Sequence, residues 1–549
     1  MVVRRLLGRV NPQRLVALSF RFRPNSEFII FENKRLTRRR VFADINTLAA
    51  GLRALGVRKG DRVATLLPAC PEAAYTIFLP EVLGTVNVPL NPLLGEYELR
   101  HILADCEAKV IITTQRWYGR DYPTLLTRLL SDLPELRYII VRDAEWDVKE
   151  EVDGRLFLPL ERVMASDNSL RRARVSADDV ILLSYTSGTT GRPKGVAHTH
   201  SRYWGIATQA VSPRLDFASL RCLLIPFPPY HYAGLFSIIV ALLAGGKVIL
   251  MDRFDPQRML EYIQEEGVTQ IGASPTVYRL LLNTPGQERY DLSSVRRIAF
   301  STEPISFDLA RALHERLGCG LDNIYGTTES MLISWTSPDD PWELAATTVG
   351  KPVPGAKVRI VDDNRHPLPR GEVGEIAVRT SQMMSGYHRN PELTAQVLDG
   401  EGWFYTGDLG YMDEKGYLRL VGRKTDLIIR GGENIYPEEV EAYLERHPAI
   451  RRAGVIGVPS TVGGEAVWAY VELHPGATLT AGEVLNFCRG QIAPFKMPEQ
   501  VRFVKRLPTT ATGKVQRFRL REMAAEEGEG LWRVPQPRGD RGHDGADAG

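Results

Sequence analysis

Apolar runs of strand length alternate along most of the chain with apolar residues at helical spacing. From Phe42 to Leu55 an apolar residue recurs every three or four positions, which predicts a helix that ends at Gly56. The next predicted elements are a strand over 63–67, a helix from 71 toward 83, a strand near 86, a helix over 96–105 and a strand over 110–113. This alternation predicts an α/β fold with layered, largely parallel sheets.

Beyond Arg423 the pattern changes to that of a smaller α+β unit. Its predicted elements are a strand over 427–429, a helix over 438–445, strands over 453–458 and 467–473, a helix over 483–489 and a strand over 501–504. We therefore predict a large N-terminal domain of layered α/β sheets (1–422) and a small, mobile α+β C-terminal domain (423–525). The Gly- and Pro-rich remainder, 526–549, is expected to be disordered.

Length and composition narrow the class of protein. A chain of 549 residues is too long for one ordinary core, and a net charge of +3 indicates no extreme electrostatic field. Five cysteines without CxxC spacing argue against a disulfide framework and a zinc site, and suit a reducing cytoplasm. The longest apolar run, 233–243, is too short to span a bilayer. For the basic start, with arginines at 38–40, a solvated face is favoured over contact with a membrane or nucleic acid.

The most informative stretch is 183–196, Leu-Ser-Tyr-Thr-Ser-Gly-Thr-Thr-Gly-Arg-Pro-Lys-Gly-Val, which follows a predicted strand over 180–183. Glycines let backbone N–H groups turn toward an anion, while hydroxyls and the ammonium of Lys194 supply further donors. These are the groups that hold a polyphosphate. The stretch differs from a Walker A loop, because no Gly-Lys pair is followed by Ser or Thr. An ordinary surface turn is the alternative, and the fixed order of hydroxyls and Pro-Lys-Gly disfavours it.

This stretch resembles the phosphate-binding signature of adenylate-forming enzymes such as acyl-CoA synthetases, peptide-synthetase adenylation domains and firefly luciferase. Further motifs of that family follow in its order over about 42–520: Ser-Thr-Glu-Pro (301–304), Tyr-Gly-Thr-Thr-Glu (325–329), Tyr-Thr-Gly-Asp (405–408), Gly-Gly-Glu-Asn (431–434) and Thr-Gly-Lys (512–514). Five motifs in order are more specific than any one of them.

The resemblance implies a role for each matching residue. It implies catalytic roles for Lys514, Glu329 and Thr328, with Glu329 also holding Mg²⁺, and a hinge at Thr425. The implied ATP-binding residues are Thr186, Ser187, Gly188, Thr189, Thr190, Gly191, Lys194, Glu303, Tyr325, Asp408 and Arg423. It implies an acyl pocket at Tyr230, His231 and Ser274, and a coenzyme A tunnel at Gly431 and Gly432.

The implied activity is that of an ATP-dependent acid–CoA ligase that forms an acyl-AMP and then an acyl-CoA. Glu303-Pro304 resembles the pattern of acetate, medium-chain and aryl-acid ligases, and no acid lies between Arg221 and Leu250 to hold a substrate ammonium. A fatty, medium-chain or aryl acid is therefore expected, with ATP, Mg²⁺ and coenzyme A. Two residues depart from the family pattern. Thr302 stands where the family usually has glycine, and Thr425 stands where its hinge residue is usually Asp or Lys.

Other interpretations stay open at this point. An adenylation enzyme that loads a carrier protein shares the first step, although no carrier domain follows Lys514 in this chain. A luciferase-like oxygenase also shares it, without a positive sign in the sequence. A nucleotide-binding regulatory protein is disfavoured by the retained Glu329, Asp408 and Lys514. No nucleic acid partner and no transmembrane segment are expected, and a homodimer is left open.

Overall fold

The computed structural model describes residues 12–146, 150–165, 170, 172–186, 193–209, 218–226, 229–301, 305, 307–423, 428–435, 437–460, 464–508, 515 and 517–526. Within these ranges, strands and helices alternate as the hydrophobic pattern predicts, and most strands belong to four sheets. A two-stranded ribbon, Arg116–Trp117 with Arg120–Asp121, stands apart from them. The predicted α/β class is confirmed.

The first sheet has nine strands, and those from Glu27–Phe31 to Gly320–Thr327 run parallel to one another. From edge to edge the strands are Lys351–Pro352, Met331–Trp335, Gly320–Thr327, Arg297–Phe300, Gln270–Ala273, Cys222–Ile225, Lys247–Leu250, Glu27–Phe31 and Lys34–Thr37. The helices that join its parallel strands are Tyr232–Ala244, Pro256–Glu266, Pro275–Leu282 and Phe307–Leu317. The carboxyl ends of these strands share one edge of the sheet, where α/β proteins bind ligands.

The second sheet also has nine strands. From edge to edge they are Gly386–Tyr387, Lys194–Thr199, Val180–Thr186, Val86–Pro89, Arg62–Leu66, Val110–Thr114, Tyr138–Arg142, Arg155–Pro159 and Glu150–Val152. Helices associated with this half of the molecule are Pro12–Arg21, Arg38–Ala54, Glu96–Asp105, Tyr122–Thr127, Leu160–Met164 and His200–Gln209. Helix Glu96–Asp105 has the bounds that the sequence predicts.

One predicted element is wrong. The segment from Pro71 toward Leu83 forms two helices, Pro71–Thr76 and Leu79–Leu83, instead of one. Pro80 stands in the first turn of the second helix, and proline has no N–H to donate to the preceding turn. The apolar periodicity continues across this break, so periodicity by itself did not reveal it.

Helix Arg38–Ala54 packs between the two large sheets. Its Ile45 and Leu48 are fully buried in one core cluster with Phe28 of the first sheet and Val63 of the second. Apolar side chains from both sheets therefore form a continuous core around this helix, which fixes the position of one sheet relative to the other.

The arginine run at the start of this helix is only partly the solvated face that the sequence predicts. Arg39 and Arg40 are exposed, but Arg38 is fully buried. Arg38 donates to the carbonyl oxygens of Ser19, Leu242 and Gly246 at 3.2, 3.1 and 2.7 Å. Burial, together with the charge of Arg23, lowers the pKa of Arg38 to about 10. This guanidinium satisfies carbonyls at the end of helix Tyr232–Ala244 and acts as a structural residue.

The third sheet follows the first two along the chain, and the fourth is the core of the small unit, defined as residues 428–526. The strands of the third sheet are Lys357–Val361, Gly374–Arg379, Phe404–Met412 and Leu418–Arg423, with helices Trp342–Thr347 and Pro391–Val397 nearby in sequence. The fourth contains Glu433–Ile435, Ile428–Arg430, Gly464–Leu473, Ile450–Ser460 and Gln500–Phe503, with helices Pro437–Leu444, Ala481–Cys488 and Arg517–Glu526. The large unit, residues 12–423, holds the other sheets.

Within the part of the chain that the structure describes, no helix is both long and apolar enough to cross a bilayer. The longest apolar run forms helix Tyr232–Ala244, which lies inside the protein against the first sheet. All five cysteines are buried and none forms a disulfide.

Candidate active site

A hairpin frames the predicted phosphate loop. Strands Val180–Thr186 and Lys194–Thr199 pair antiparallel, and Thr186 lies opposite Lys194. The loop residues between them that we expect to bind ATP, Ser187, Gly188, Thr189, Thr190 and Gly191, lie outside the described residues. The hairpin brings the Thr186 hydroxyl, at the start of the loop, and the Lys194 ammonium, just after the loop, to the same end of the second sheet.

Lys194 meets the predicted metal ligand through a tyrosine. Its Nζ lies 5.4 Å from the centre of the Tyr387 ring, and the Tyr387 hydroxyl donates to Glu329 Oε1 at 2.9 Å. Burial lowers the pKa of Lys194, an effect that the negative charge of Glu329 opposes. Tyr387 belongs to the edge strand Gly386–Tyr387, and no local pattern in the sequence indicates this contact.

The segment that carries Thr328 and Glu329 is held from two sides. It forms the turn between strands Gly320–Thr327 and Met331–Trp335. His198 Nε2 lies 2.7 Å from the carbonyl oxygen of Thr328, and the Met384 N–H donates to the carbonyl oxygen of Glu329 at 2.6 Å. These contacts fix the backbone of both predicted catalytic residues.

His198 makes its contact as a neutral ring. The side chain is buried, and burial lowers its pKa to about 4. Its Nδ1 is buried without a hydrogen-bond partner among the described residues. Since a carbonyl oxygen only accepts, the proton is assigned to Nε2, which donates to Thr328. The sequence interpretation missed His198, although its place five residues beyond Pro193 is a signal that could have found it.

The predicted adenine and ribose residues lie side by side. The Tyr325 hydroxyl donates to Asp408 Oδ2 at 2.6 Å, although the two residues are 83 positions apart. Asp408 also lies opposite Arg423 in the pairing of strands Phe404–Met412 and Leu418–Arg423. The structure does not describe the Arg423 side chain. A carboxylate at this place can accept from the two hydroxyls of a ribose.

The predicted acyl-pocket residues follow neighbouring strands of the first sheet. The rings of Tyr230 and His231 are 4.6 Å apart, beyond the carboxyl end of strand Cys222–Ile225. Ser274 follows the adjacent strand, Gln270–Ala273, is buried, and caps helix Pro275–Leu282 by accepting from the Val277 N–H at 3.4 Å. Burial raises the pKa of Tyr230 well above its ordinary value, so its hydroxyl stays protonated. Glu303 lies outside the described residues.

The predicted coenzyme A loop, which belongs to the small unit, lies next to the acyl wall, defined here as Tyr230, His231 and Ser274. Gly431 and Gly432 have φ of 57° and 81°, a left-handed conformation that favours glycine. The next residue, Glu433, places Oε1 3.2 Å from Nε2 of His231. Burial lowers the pKa of His231, but the charge of Glu433 and its hydrogen bond outweigh burial and leave this pKa raised. The sequence interpretation assigned no role to Glu433.

The small unit presents two different faces of its sheet. Along strand Ile450–Ser460, Val455 belongs to the core cluster on which Tyr97 of the large unit packs. Ile456 points the other way, into the cluster on which Val515 packs. Lys514 and the predicted hinge, Thr425, lie outside the described residues. Val515, the neighbour of Lys514, is therefore on the sheet face opposite to the one that contacts the large unit.

The donors at the site suit Mg²⁺ bound through a nucleotide. Glu329 supplies a hard carboxylate oxygen, and Mg²⁺ in such sites is held by one or two carboxylates, waters and substrate phosphates. Among the described residues no group of three or more His, Cys, Asp or Glu side chains could enclose a metal ion. The arrangement fits an ion that arrives with a polyphosphate better than a resident metal.

Two family models and several known proteins match this chain. A model of the AMP-binding enzyme family matches residues 18–388, and one of the AMP-binding enzyme C-terminal domain matches residues 439–514. The medium-chain fatty-acid–CoA ligase of Escherichia coli (strain K12) is 36% identical over 480 residues, 86% of this chain and 83% of that protein. A feruloyl-CoA synthase of Amycolatopsis sp is 36% identical over 509 residues, 91% of this chain and 96% of that protein.

A solved structure, the amide bond synthetase of Marinactinospora thermotolerans, is similar throughout. It superposes with a TM-score of 0.80 at 31% identity, covering 92% of this chain and 99% of that one. The similarity therefore extends over the large and the small unit together.

Proposed function

The chain belongs to the AMP-binding enzyme family, and we propose that it is an acid–CoA ligase that uses ATP to activate a medium-chain or aryl carboxylic acid. The single observation that carries the proposal is that Tyr387, between Lys194 and Glu329, shares one core cluster with Tyr325, the partner of Asp408. Glu433, next to the Gly431–Gly432 loop, contacts the acyl wall beside it. Together these groups can bind the phosphates, the metal ion and the ribose of a nucleotide, and can admit a thiol to a bound acyl group.

In the first step the carboxylate oxygen attacks the α-phosphorus of ATP, and the bond to the bridging oxygen of pyrophosphate breaks. The product is a mixed anhydride, in which AMP is a good leaving group. Catalysis of such a transfer depends on positioning and charge neutralisation. Lys194 and the hydroxyls from Thr186 to Thr190 hold the β- and γ-phosphates, and Lys514 neutralises charge between the two reacting anions. A Mg²⁺ ion held by Glu329 supplies further positive charge.

The nucleoside is held by the pair formed by Tyr325 and Asp408. The Tyr325 ring lies along the adenine, and Asp408 accepts hydrogen bonds from the ribose, with Arg423 as a cation nearby. The hydrogen bond between the Tyr325 hydroxyl and Asp408 supports this assignment, because it keeps the carboxylate oriented before the nucleotide arrives.

In the second step the sulfur of coenzyme A attacks the acyl carbon, and the bond to the AMP oxygen breaks. The Gly431–Gly432 loop lines the path of the pantetheine. Contact between Glu433 and His231 supports this role, as does the location of Val515 on the opposite sheet face. Since Val515 packs on the face opposite to the large unit, we infer that Lys514 reaches the site for the first step only after a rotation of the small unit about Thr425.

The acyl wall favours an uncharged acyl group. No acid between Arg221 and Leu250 can hold a substrate ammonium, and Glu433, which reaches the wall from the small unit, is paired with His231. Apolar walls with a few polar groups are typical of pockets for such acyl chains. A medium-chain or aryl acid is therefore favoured over an amino acid.

The proposal also covers the domain organisation of the chain and its cellular compartment. The third sheet ends at Arg423 and the sheet of the small unit begins at Ile428, which supports a large domain over 1–422 and a small one over 423–525. The predicted tail, 526–549, lies outside the described residues apart from Glu526, which ends helix Arg517–Glu526. Five buried thiols suit a reducing cytoplasm.

The test is ATP–pyrophosphate exchange with octanoate, benzoate and a set of amino acids, followed by product analysis with coenzyme A. We expect exchange with octanoate or benzoate and an acyl-CoA product. Strong exchange with amino acids alone would overturn the substrate class.

Acyl-AMP formation without an acyl-CoA would favour an adenylation enzyme with another acceptor. The structural similarity to an amide bond synthetase motivates this second candidate. A carrier-protein pantetheine and a simple amine are therefore included as acceptors beside coenzyme A.

A further inference from the structure

Three charged side chains meet in a site sealed from water at the contact between the two units. Glu98 belongs to the large unit, whereas Glu439 and Lys496 belong to the small unit. Their side chains are 1%, 4% and 5% exposed. Lys496 Nζ lies 2.6 Å from Glu439 Oε1 and also contacts Glu98 Oε1. Each carboxylate contributes one oxygen to the same ammonium.

The cluster holds two carboxyl groups for one ammonium. Burial, together with the charge of Glu98, raises the pKa of Glu439 to about 7, in opposition to Lys496. The second oxygen of Glu439 is buried without a hydrogen-bond partner among the described residues. Glu98 Oε2, in contrast, accepts from the Gly95 N–H at 2.8 Å. Lys496 is therefore the group that makes the approach of two carboxylates tolerable.

Further contacts between the two units lie beside the cluster. Tyr97 packs its ring 5.6 Å from that of Tyr443 and beneath the guanidinium of Arg446. The Glu96 N–H donates to the carbonyl oxygen of Gly490 at 3.4 Å. The first turn of helix Glu96–Asp105 is thus a docking point for the small unit, with the charged cluster at its centre.

A buried ion cluster suits a contact that must form and break. Desolvation of the charges nearly cancels their attraction, so the cluster adds little net stability, while loss of one partner leaves a buried unpaired charge. Such a contact selects one orientation without making it permanent. The same ammonium also acts on Glu433, whose pKa is lowered by His231 and, to a smaller extent, by Lys496.

We propose that Lys496 is a positioning residue for thiol transfer, because its bridge from Glu439 to Glu98 holds the small unit with the Gly431–Gly432 loop against the acyl wall. This inference rests on the two-step function proposed above. Lys496 contacts no reacting atom and acts through the orientation of the small unit. Rotation for the first step separates Lys496 from Glu98 and leaves the Lys496–Glu439 pair within the small unit.

The test uses the full-length enzyme with the variants Lys496→Met and Glu98→Gln. Pyrophosphate exchange measures the first step, and single-turnover transfer from supplied acyl-AMP to coenzyme A measures the second. For Lys496→Met we expect exchange within about threefold of wild type and transfer lowered on the order of 10²-fold. Glu98→Gln keeps the Lys496–Glu439 pair, so we expect a smaller, equally selective loss in transfer.

The matched control is Lys247→Met. Lys247 also bridges two carboxylates, Glu27 and Glu266, but all three lie in the large unit. Its loss should lower both steps equally, through stability alone. If Lys496→Met behaves in the same way, or leaves both steps unchanged, the inference is wrong.

A structural measurement is independent of catalysis. In wild type the Glu96 N–H is covered by the small unit, so amide hydrogen exchange of the peptide around 93–99 should be slow. Lys496→Met should accelerate this exchange, whereas Lys247→Met should not. Unchanged exchange in Lys496→Met would overturn the inference. Failure of the proposed function would instead appear as wild-type enzyme inactive in both steps, with the hydrogen-exchange result still decisive for docking.

Discussion

At the scale of single residues, the predicted catalytic residues are held in place by side chains that belong to none of the recognised motifs. His198 donates to the carbonyl oxygen of Thr328, and Tyr387 donates to Glu329. Both hold predicted catalytic residues from another strand of the molecule. The Glu329 carboxylate can hold a metal ion beside a polyphosphate only if its position is fixed. The residues that fix this position therefore matter as much as the carboxylate itself.

Glu329 should be essential for acyl-AMP formation. Glu329→Gln keeps the shape of the side chain and an oxygen that can accept from Tyr387, but removes the charge that attracts Mg²⁺. We expect unchanged folding and a loss of pyrophosphate exchange on the order of 10²-fold. The measurement is exchange at limiting Mg²⁺, with Tyr387→Phe as a milder companion variant. A wild-type rate in Glu329→Gln would show that other groups hold the metal.

His198 should make stability depend on pH. Its folded pKa of about 4 lies below the ordinary value of 6.5, so the unfolded chain binds more protons between these values. Stability is therefore complete above about pH 6.5 and falls by up to about 3 kcal/mol as the pH drops toward 4. Denaturant unfolding from pH 7 to pH 4.5 should show this loss, and His198→Gln should reduce it. Equal pH profiles for both proteins would contradict the assignment.

Arg38 should matter far more for stability than its neighbour Arg39. Arg38→Met removes the side-chain donor of three carbonyl oxygens, two of them in buried hydrogen bonds, and we expect a loss of about 3 kcal/mol in the free energy of unfolding. Arg39→Met changes an exposed side chain and should alter stability by less than about 0.5 kcal/mol. Urea unfolding of the two variants checks this. Similar values would show that the carbonyls find other donors.

At the scale of elements, the bounds of helix Glu96–Asp105 are set by its own sequence, whereas its contact with the small unit is set by the tertiary structure. Its amphipathic pattern and acidic first turn predict its bounds. Its first turn also receives the small unit, which no local pattern indicates. Gly95 precedes the helix, and a Cβ there would stand 2.0 Å from the carbonyl oxygen of Gln491. The absence of a side chain at Gly95 is therefore a condition for docking.

Gly95→Ala should impair thiol transfer and spare acyl-AMP formation. The added methyl forces the two units apart, and strain of this kind costs about 1–3 kcal/mol, or roughly 5- to 150-fold in transfer rate. Single-turnover transfer and pyrophosphate exchange measure the two steps. Gly482→Ala is the control, because nothing lies within 4 Å of a Cβ at that glycine. Equal losses in both steps for Gly95→Ala would indicate general damage.

At the scale of the whole molecule, one arrangement of the units serves one step. The Gly431–Gly432 loop faces His231, and Val515 packs on the opposite face of the small sheet. In the function proposed above, Gly431 and Lys514 serve the same acyl group, and the location of Val515 favours two arrangements over a single one. The proposed catalytic cycle therefore alternates between two orientations, with the charged contact at Glu98 formed in only one of them.

The variant Lys514→Ala should show the opposite effect to Gly95→Ala, with acyl-AMP formation impaired and thiol transfer spared. Lys514→Ala removes an ammonium from the encounter of two anions, and we expect acyl-AMP formation to fall on the order of 10²- to 10³-fold. Transfer from supplied acyl-AMP to coenzyme A should stay close to wild type, because the Lys514 loop is turned away in that step. Normal adenylation by the variant would remove Lys514 from the mechanism. Equal losses in both steps would remove the rotation.

The sequence by itself determined what depends on neighbouring residues. Helix Glu96–Asp105, the glycine- and hydroxyl-rich loop after strand Val180–Thr186, and the small α+β unit follow from local periodicity and composition. Pro71 to Leu83 is the local failure, because apolar spacing there continues through a break that Pro80 causes. The family motifs also identified the candidate ligands of ATP, because a phosphate-binding loop needs its residue types in a fixed order.

Only the tertiary structure decided which distant side chains meet. His198 and Thr328 are 130 positions apart, and Glu98 and Lys496 are 398 apart. Arg38 and Arg39 are neighbours of the same type, yet only Arg38 is buried. Such outcomes depend on the packing of whole sheets and on the cost of leaving a buried charge or carbonyl without a partner. Both are set by the fold as a whole, so no stretch of sequence contains them.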